Sequence, residues 1–184
     1  MPIVKYCIVS IACLLVSMNV NATQSSDLPY PVEVFQTYCV SSDGDHRQIV
    51  NMAKAMEFDE ITGEALNATI NPDTEGKAYV VERKPAERQM ITLGTTTINT
   101  CSVYTQGYAT MENLSYIREN FGLRTIDKVR VGMETREVLV PNSAPNSRPA
   151  MFSEGVYTFS YPDDEAGSIL GYIPPAVSME AMTR

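Results

Sequence analysis

The stretch that decides the fold is residues 77–107, KAYVVERKPAERQMITLGTTTINTCSVYTQG. Apolar and polar residues alternate in KAYVVERK and in RQMITLG, and both segments are rich in residues that favour strands. KPAE reads as a turn between them, and a third alternating segment places Cys101, Val103 and Thr105 on one face. Three strands joined by short connections predict an antiparallel meander.

Alternating segments return later as TIDKVRVGM, TREVLVP, GVYTFSY and SILGYI. Within the first of them, Val129 and Val131 alternate with Lys128 and Arg130. Because strands cluster on either side of a central helix, the pattern predicts an α+β single domain. We expect a mostly antiparallel sheet of about five to six strands with two to three helices on one face.

The central helix is predicted over residues 110–122, TMENLSYIRENFG. Thr110 is placed to act as its N-cap and Gly122 as the residue that follows its C-terminus. Its apolar stripe, which we expect to face the core, consists of Met111, Leu114, Ile117 and Phe121.

Residues 1–22 have the pattern of a secretory signal peptide. Lys5 precedes an uncharged apolar run over 6–20, which is shorter than the about 20 residues that span a bilayer. A small residue, Ala22, marks the expected cleavage site. The alternatives are a retained membrane anchor and a lipoprotein modified at Cys13. Cys13 lies midway along the run, and Ser10 occupies the position where a branched aliphatic residue is expected.

Cleavage would leave a periplasmic or secreted protein that has no further contact with the membrane, since no later apolar run is long enough to cross it. Residues 23–31, TQSSDLPYP, are polar and predict a flexible leader. We expect the folded domain over 32–175 and a frayed tail over 176–184.

Charge argues against nucleic-acid and anionic-lipid partners. The formal net charge is −8 with Lys5 included, and the most basic stretch, ERKPAER at 82–88, alternates in sign. Both partner classes require a basic surface. Acidity is compatible with a soluble exported protein and with a basic protein partner.

Cys39 and Cys101 are the cysteines that remain after the leader is removed. Export favours their oxidation, so we expect a disulfide between the first helix and the sheet. A loop of this length would contribute about 4 kcal/mol in the chain-entropy model. The segment VEVFQTYCV supports the helix, since it places on one face Val34, Phe35, Tyr38 and Cys39.

The alternative to the disulfide is a free Cys39 that acts as a catalytic nucleophile with His46 as its base.

SSDGDHRQIV, residues 41–50, contains the candidate site residues Asp43, Asp45 and His46, the single histidine of the chain. Our interpretation is that Asp45 caps a second helix, which Gly44 separates from the first. The apolar face of that helix comprises Ile49, Val50, Met52, Ala53 and Met56.

A calcium loop is the alternative for this stretch. Such loops carry a bidentate acid at their twelfth position, and counting from Asp43 that position is Lys54. We therefore expect no metal and no cofactor here.

The catalytic repertoire is small. A Ser-His-Asp arrangement would have to use His46, and the nucleophile-elbow and phosphate-loop patterns are absent from the sequence. A pair of carboxylates acting on a glycoside stays open, because sequence spacing does not reveal spatial separation. By contrast, PNSAPNSRP at 141–149 predicts an exposed loop long enough to reach a partner.

VEVFQTYC and TCSVYT carry a resemblance that covers residues 32–121. Phe35 lies four residues before Cys39, and a second cysteine lies in a central strand. This arrangement resembles small exported proteobacterial α+β proteins of uncharacterised function. The resemblance implies a fold and a disulfide and assigns no catalytic residue.

These observations favour an exported, soluble, non-enzymatic binding or interaction module, comparable to an inhibitor or an immunity protein. Its expected partner is another exported protein. The alternative is a small periplasmic hydrolase that uses His46 or a carboxylate pair.

Overall fold

The structure is a computed structural model that describes residues 29–70, 74–147, 150–164 and 166–183. The predicted signal peptide, 1–22, and most of the predicted leader lie outside these residues. None of the helices in the described ranges combines the length and the apolar character that a membrane crossing requires.

In the described part of the chain, eight antiparallel strands form one sheet in the order β1-β2-β3-β4-β8-β7-β6-β5. Their bounds are β1 Asp59–Ile61, β2 Gly76–Lys84, β3 Gln89–Thr96, β4 Cys101–Gln106, β5 Leu123–Val131, β6 Glu134–Pro141, β7 Val156–Pro162 and β8 Gly167–Ile173. Two meanders, β1 to β4 and β5 to β7, are therefore joined through β8, the last strand in sequence.

Five α-helices accompany the sheet within the described residues: α1 Tyr30–Val34, α2 His46–Ala55, α3 Glu64–Thr69, α4 Thr110–Asn120 and α5 Pro175–Thr183. A π-helical turn, Phe35–Val40, continues α1. α1 begins inside the predicted leader, and α5 occupies the segment that we expected to fray.

The expectation of five to six strands and two to three helices is wrong, because the described residues form eight strands and five helices. The expectation that the helices lie on one face is wrong as well, since Met179 of α5 packs against the cluster that includes Val140, on the face opposite α1, α2 and α4. The additional elements give little periodic signal. β1 has only three residues, none of which is fully buried, and α3 has only six. The alternation of β8 is interrupted by Gly171, where a Cβ would meet the Thr158 side chain.

One row of residues that pair across neighbouring strands runs through the sheet, on the side covered by α1, α2 and α4. Its central members, all buried, are Tyr79, Leu93, Val103, Leu170, Phe159 and Glu137. Against this side pack residues of α1, the π turn, α2 and α4, including Val32, Phe35, Ile49, Leu114 and Ile117. The principal core therefore lies between the helices and one face of the sheet.

The α4 stripe differs from the prediction at its first position. Met111 is exposed, and Asn113 is buried together with Leu114 and Ile117. The predicted N-cap, Thr110, is the first residue of the helix, and Ala109 precedes it as the cap. Leu114 and Ile117 face the core as predicted, but towards the N-terminus the buried face is continued by the polar residues Thr110 and Asn113 instead of Met111.

The predicted disulfide is confirmed. Cys39 and Cys101 are bonded, with their Cα atoms 5.3 Å apart. Both residues are buried, and Cys39 lies in the π turn whereas Cys101 opens β4. The bond attaches the first helical segment to a central strand of the sheet.

Glu137 is the charged residue of the buried row, and its side chain is fully covered. Arg118 of α4 forms an ion pair with it, and the Lys128 Nζ lies 2.9 Å from its Oε1. The Thr125 hydroxyl donates to its Oε2 over 3.1 Å. Burial acts to raise the pKa of Glu137, but the hydrogen bonds from Lys128 and Thr125 and the charge of Arg118 outweigh it and hold the pKa below its ordinary value.

Replacing both bonded cysteines, Cys39→Ser with Cys101→Ser, should lower the free energy of unfolding by about 2–4 kcal/mol. The reason is that the bond closes a loop with a sequence separation of 62. Urea unfolding of the oxidised and double-mutant proteins measures the difference. Alkylation of unreduced, denatured protein should label neither Cys39 nor Cys101, and labelling of both would contradict the bond.

Glu137→Gln should lower the free energy of unfolding by about 1–3 kcal/mol at neutral pH, because charge-assisted hydrogen bonds are lost. The matched control is Glu134→Gln on the opposite face of the same strand. Glu134 forms an exposed pair with Arg136, so its loss should cost less than about 1 kcal/mol.

The stability advantage of Glu137 over glutamine should depend on pH. Because the folded pKa is lowered, the advantage is fully present above the pKa of the unfolded chain, about 4.3, and declines as pH falls through the folded value. Urea titrations at pH 7 and at successively lower pH measure this. An advantage that grows on acidification would contradict the role assigned to this carboxylate.

Candidate functional site

The stretch that contains the candidate residues forms a tight connection between the π turn and α2. Asp43 and Gly44 both have left-handed backbone conformations, with φ of 50° and 66°. A Cβ on Gly44 would lie 2.8 Å from the carbonyl oxygen of Asn99, so glycine is required at this close approach. The connection is thereby pressed against the turn between β3 and β4.

Asp43 and Asp45 each accept a hydrogen bond that holds this connection in place. The Tyr172 hydroxyl of β8 donates to the Asp43 Oδ1 over 2.8 Å. The Gln48 backbone N–H donates to the Asp45 Oδ1 over 2.7 Å, which confirms Asp45 as the N-cap of α2. Burial first, and then the hydrogen bond to Asp43, raise the pKa of Tyr172, so that its hydroxyl stays protonated and donates.

His46 is the first residue of α2 and is partly buried. Its Nδ1 lies 3.3 Å from the Thr95 hydroxyl, and its backbone N–H donates to the Asn99 Oδ1 over 3.2 Å. A cleft of about 400 Å³ adjoins it, lined by Asp45, His46, Arg47, Thr97 and Asn99.

This arrangement does not assemble a nucleophile, a base and an acid. Thr95 is fully buried, so its hydroxyl is inaccessible to a substrate. Among the described residues, no carboxylate forms a hydrogen bond or ion pair with His46 that would orient its ring, as a catalytic triad requires. The three candidate residues therefore lie close together in sequence, but each contacts a different part of the fold.

Cys39 cannot serve as a nucleophile while it is bonded to Cys101. Across the described ranges, no group of three or more histidine, cysteine or acidic side chains is arranged to hold a metal ion. Neither the calcium interpretation nor the thiol interpretation thus gains support from the geometry.

The predicted partner loop is partly packed rather than free. Ala144 is buried in a second apolar cluster with Met151 and Phe152, on the side of the sheet opposite α1, α2 and α4, and Met179 of α5 packs against this cluster. The Arg124 guanidinium donates to the Ala144 carbonyl over 3.0 Å. The expectation of an exposed loop is therefore wrong at Ala144, whose backbone and side chain are held in place, and confirmed at Asn142, Ser143 and residues 145–147; residues 148 and 149 lie outside the described residues.

The same side of the sheet has an open part that the sequence did not single out. A cleft of about 480 Å³ lies here, with Tyr104 of β4, Ile169 of β8 and Pro162 of β7 in its lining. A second cleft of about 340 Å³ adjoins it and shares Tyr104. Tyr104 and Ile169 are register partners, so both side chains project from this side of the sheet.

The hairpin of β5 and β6 borders this cleft. Val131 and Met133 line it and are 54% and 77% exposed. The turn is held in place, because the Asp163 backbone N–H donates to the Met133 carbonyl over 2.9 Å and Asp163 forms an ion pair with Arg130. We call the apolar surface formed by Tyr104, Val131, Met133, Pro162 and Ile169 the tip surface.

One ion pair lies within the tip surface: Glu134 lines the cleft, between its register partners Val131 and Pro162. Glu134 and Arg136 form a bidentate pair, with both N–O distances 3.1 Å. The hydrogen bond from Arg136 lowers the pKa of Glu134 despite its partial burial. Burial first, and then the Glu134 charge, raise the pKa of Tyr104, so a neutral aromatic ring lies at the centre of the cleft.

Comparison with models of known protein families, with curated proteins and with solved structures finds no match to this chain. The function must therefore be inferred from the chain's own geometry.

Asp45→Ala should destabilise the protein by about 1 kcal/mol, whereas Asp45→Asn should leave its stability nearly unchanged, since asparagine caps helices equally well. Thermal unfolding of the two variants measures this. A calcium-dependent rise in the melting temperature of the wild type that Asp45→Asn removes would contradict a purely structural role.

Proposed function

We propose that the protein is an exported, non-enzymatic binding module that docks another exported protein on the tip surface. It would hold this partner as an inhibitor or an immunity protein holds its target. The observation that carries the proposal is the exposure of Val131 and Met133 on an anchored hairpin beside an apolar cleft.

Surface composition supports a protein partner. Contiguous apolar surface with a polar rim is typical of protein–protein contacts, in which aromatic residues and methionine are enriched and charge is depleted at the centre. The tip surface shares the enrichment in aromatic residues and methionine, through Tyr104 and Met133, and the charge of Glu134 within it is paired with Arg136.

Rigidity supports binding as well. Asp163 contacts the hairpin through its backbone and its side chain, so the apolar residues are presented on a fixed turn. A surface that is already ordered loses less conformational entropy when a partner docks.

The proposal of export rests on the predicted signal peptide and is supported by the disulfide, since such bonds persist in oxidising compartments. The non-enzymatic part is supported by the structural hydrogen bonds of Asp43 and Asp45 and by the buried contact of His46.

Photocrosslinking in cells of the source organism tests the docking surface. Benzoylphenylalanine is placed at Met133 or at Ile98, which is also exposed, at 57%, but lies on the turn between β3 and β4. We expect an adduct with one exported protein from position 133 and none from position 98. Adducts from both positions, or from neither, would overturn the proposal.

The captured protein is then purified and its affinity measured by calorimetry. Met133→Asp should weaken binding by about tenfold or more, because a charge replaces an apolar contact at the interface. Ile98→Asp, the matched control, should bind as the wild type does. Equal binding by all three proteins would exclude the tip surface as the interface.

A further inference from the structure

The two edges of the sheet differ greatly. β1 closes one edge with three residues, whereas β5 forms the other with nine. In the described part of the chain no strand pairs with the outer side of β5. Most of β5 is exposed, so a long row of backbone groups is available to a further strand.

We propose that the partner contributes an extended segment that pairs with β5 and alternates apolar with acidic side chains. This inference rests on the proposed function and specifies how the partner binds. Strand addition to an open sheet edge derives affinity from backbone hydrogen bonds and specificity from alternate side chains.

The apolar side chains of the added segment are inferred from the register of β5 and β6. Val129 pairs with Arg136 and Val131 with Glu134, so both valines project from the side that carries the tip surface. Val129 is 44% exposed, and Val131 lines the cleft. Apolar side chains of an added strand would extend the tip surface past the hairpin.

The acidic side chains of the added segment are inferred from the residues on the other side of β5. Lys128 pairs with buried Glu137, and Arg130 is its neighbour on the same side, so both project from the side that the helices cover. Together with Arg118 they carry three positive charges near two negative ones, those of Glu137 and Asp163. The charges on this side of β5 therefore sum to +1 in a chain of net charge −8, which favours carboxylates opposite Lys128 and Arg130; Asp127 projects from the other side, with Val129 and Val131.

A second copy of this chain fits the edge poorly. Antiparallel pairing of two β5 strands about a twofold axis places residues of the same sheet face opposite each other. Three registers pair two or more residues of the segment 127–131 in both strands. They place Lys128 opposite Lys128, Lys128 opposite Arg130, or Arg130 opposite Arg130. Directly opposed like charges destabilise a strand pair, so the occupant is a different chain.

A β-bulge limits the usable edge. The register of β5 shifts between Thr125 and Asp127, and bulges disrupt pairing locally and twist the strand. Regular pairing therefore remains for the segment from Asp127 to Val131. Five residues are about the usual length of a strand, which is sufficient for addition of one segment.

Peptide binding to the intact protein tests the inference. The probe is a blocked peptide, as long as β5, that alternates valine and glutamate; a block-ordered peptide of the same composition is its control. We expect the alternating peptide to bind about tenfold more tightly and to slow hydrogen exchange of β5 amides. No protection of β5, or equal binding of the two peptides, would overturn the inference.

Charge reversal provides the second test. Arg130→Glu should weaken binding of the valine–glutamate peptide about tenfold and improve binding of a valine–lysine peptide. Arg47→Glu is the matched control: it makes the same charge change at an exposed residue in the first turn of α2, where an acid suits the helix dipole. Equal losses in both variants would indicate attraction to net charge and would overturn the inference.

The two proposals fail separately. Peptide binding to β5 without any photoadduct at Met133 would refute the docking proposal alone. A photoadduct at Met133 with no protection of β5 by peptide would refute strand addition alone. Wild-type protein that forms a dimer through β5 at micromolar concentration would also overturn the choice of occupant.

Discussion

The covalent bond between Cys39 and Cys101 is the constraint on which the arrangement of the layers depends. α1 and the π turn are short, and helices of this length are not stable without tertiary contacts. The bond holds them against β4, where Phe35 stacks with Phe121 and meets the edge of Tyr157. The disulfide thus allows α1 and the π turn, which would not be stable in isolation, to cover part of one face of the sheet.

The two faces of the sheet are consequently unequal. Helices and a buried row of side chains fill one face, and the row ends at Glu137, whose charge is satisfied by Arg118 and Lys128. The other face is covered only in part, by the cluster around Ala144 and Phe152, by α5, whose Met179 packs against that cluster, and by Ile70, which lies close to Gly94. The uncovered remainder is where an apolar surface meets solvent, and this is the surface that we propose as the docking site of another protein.

Local patterns predicted the elements that bury one face regularly. β4 alternates because its helix-side residues Cys101 and Val103 enter the core while Ser102 and Tyr104 are only partly buried, and α2 follows its cap at Asp45. β1 was missed because three residues are too few for a period to show. The pattern in α4 gave the helix but placed Met111 inside, because the first turn buries polar residues, Thr110 and Asn113, which an apolar stripe does not indicate.

The candidate site was less predictable than the fold. Asp43 and Tyr172 are 129 residues apart, so their hydrogen bond leaves no trace in a local pattern. The tip surface was missed for another reason. Alternation indicates which residues share a face, but it does not reveal which part of that face the helices and loops leave open. Val129, Val131 and Met133, apolar residues around a turn in an otherwise charged hairpin, were the available signal.

The position of β8 has a consequence for how the chain reaches its native state. β8 lies between β4 and β7, although it follows both in sequence, so the two meanders share no strand pairing until it is inserted. While the chain emerges from a ribosome or a translocation pore, each meander can form only as an isolated half-sheet. Closure of the whole sheet then awaits residues 167–173, a long-range step of the kind that slows folding.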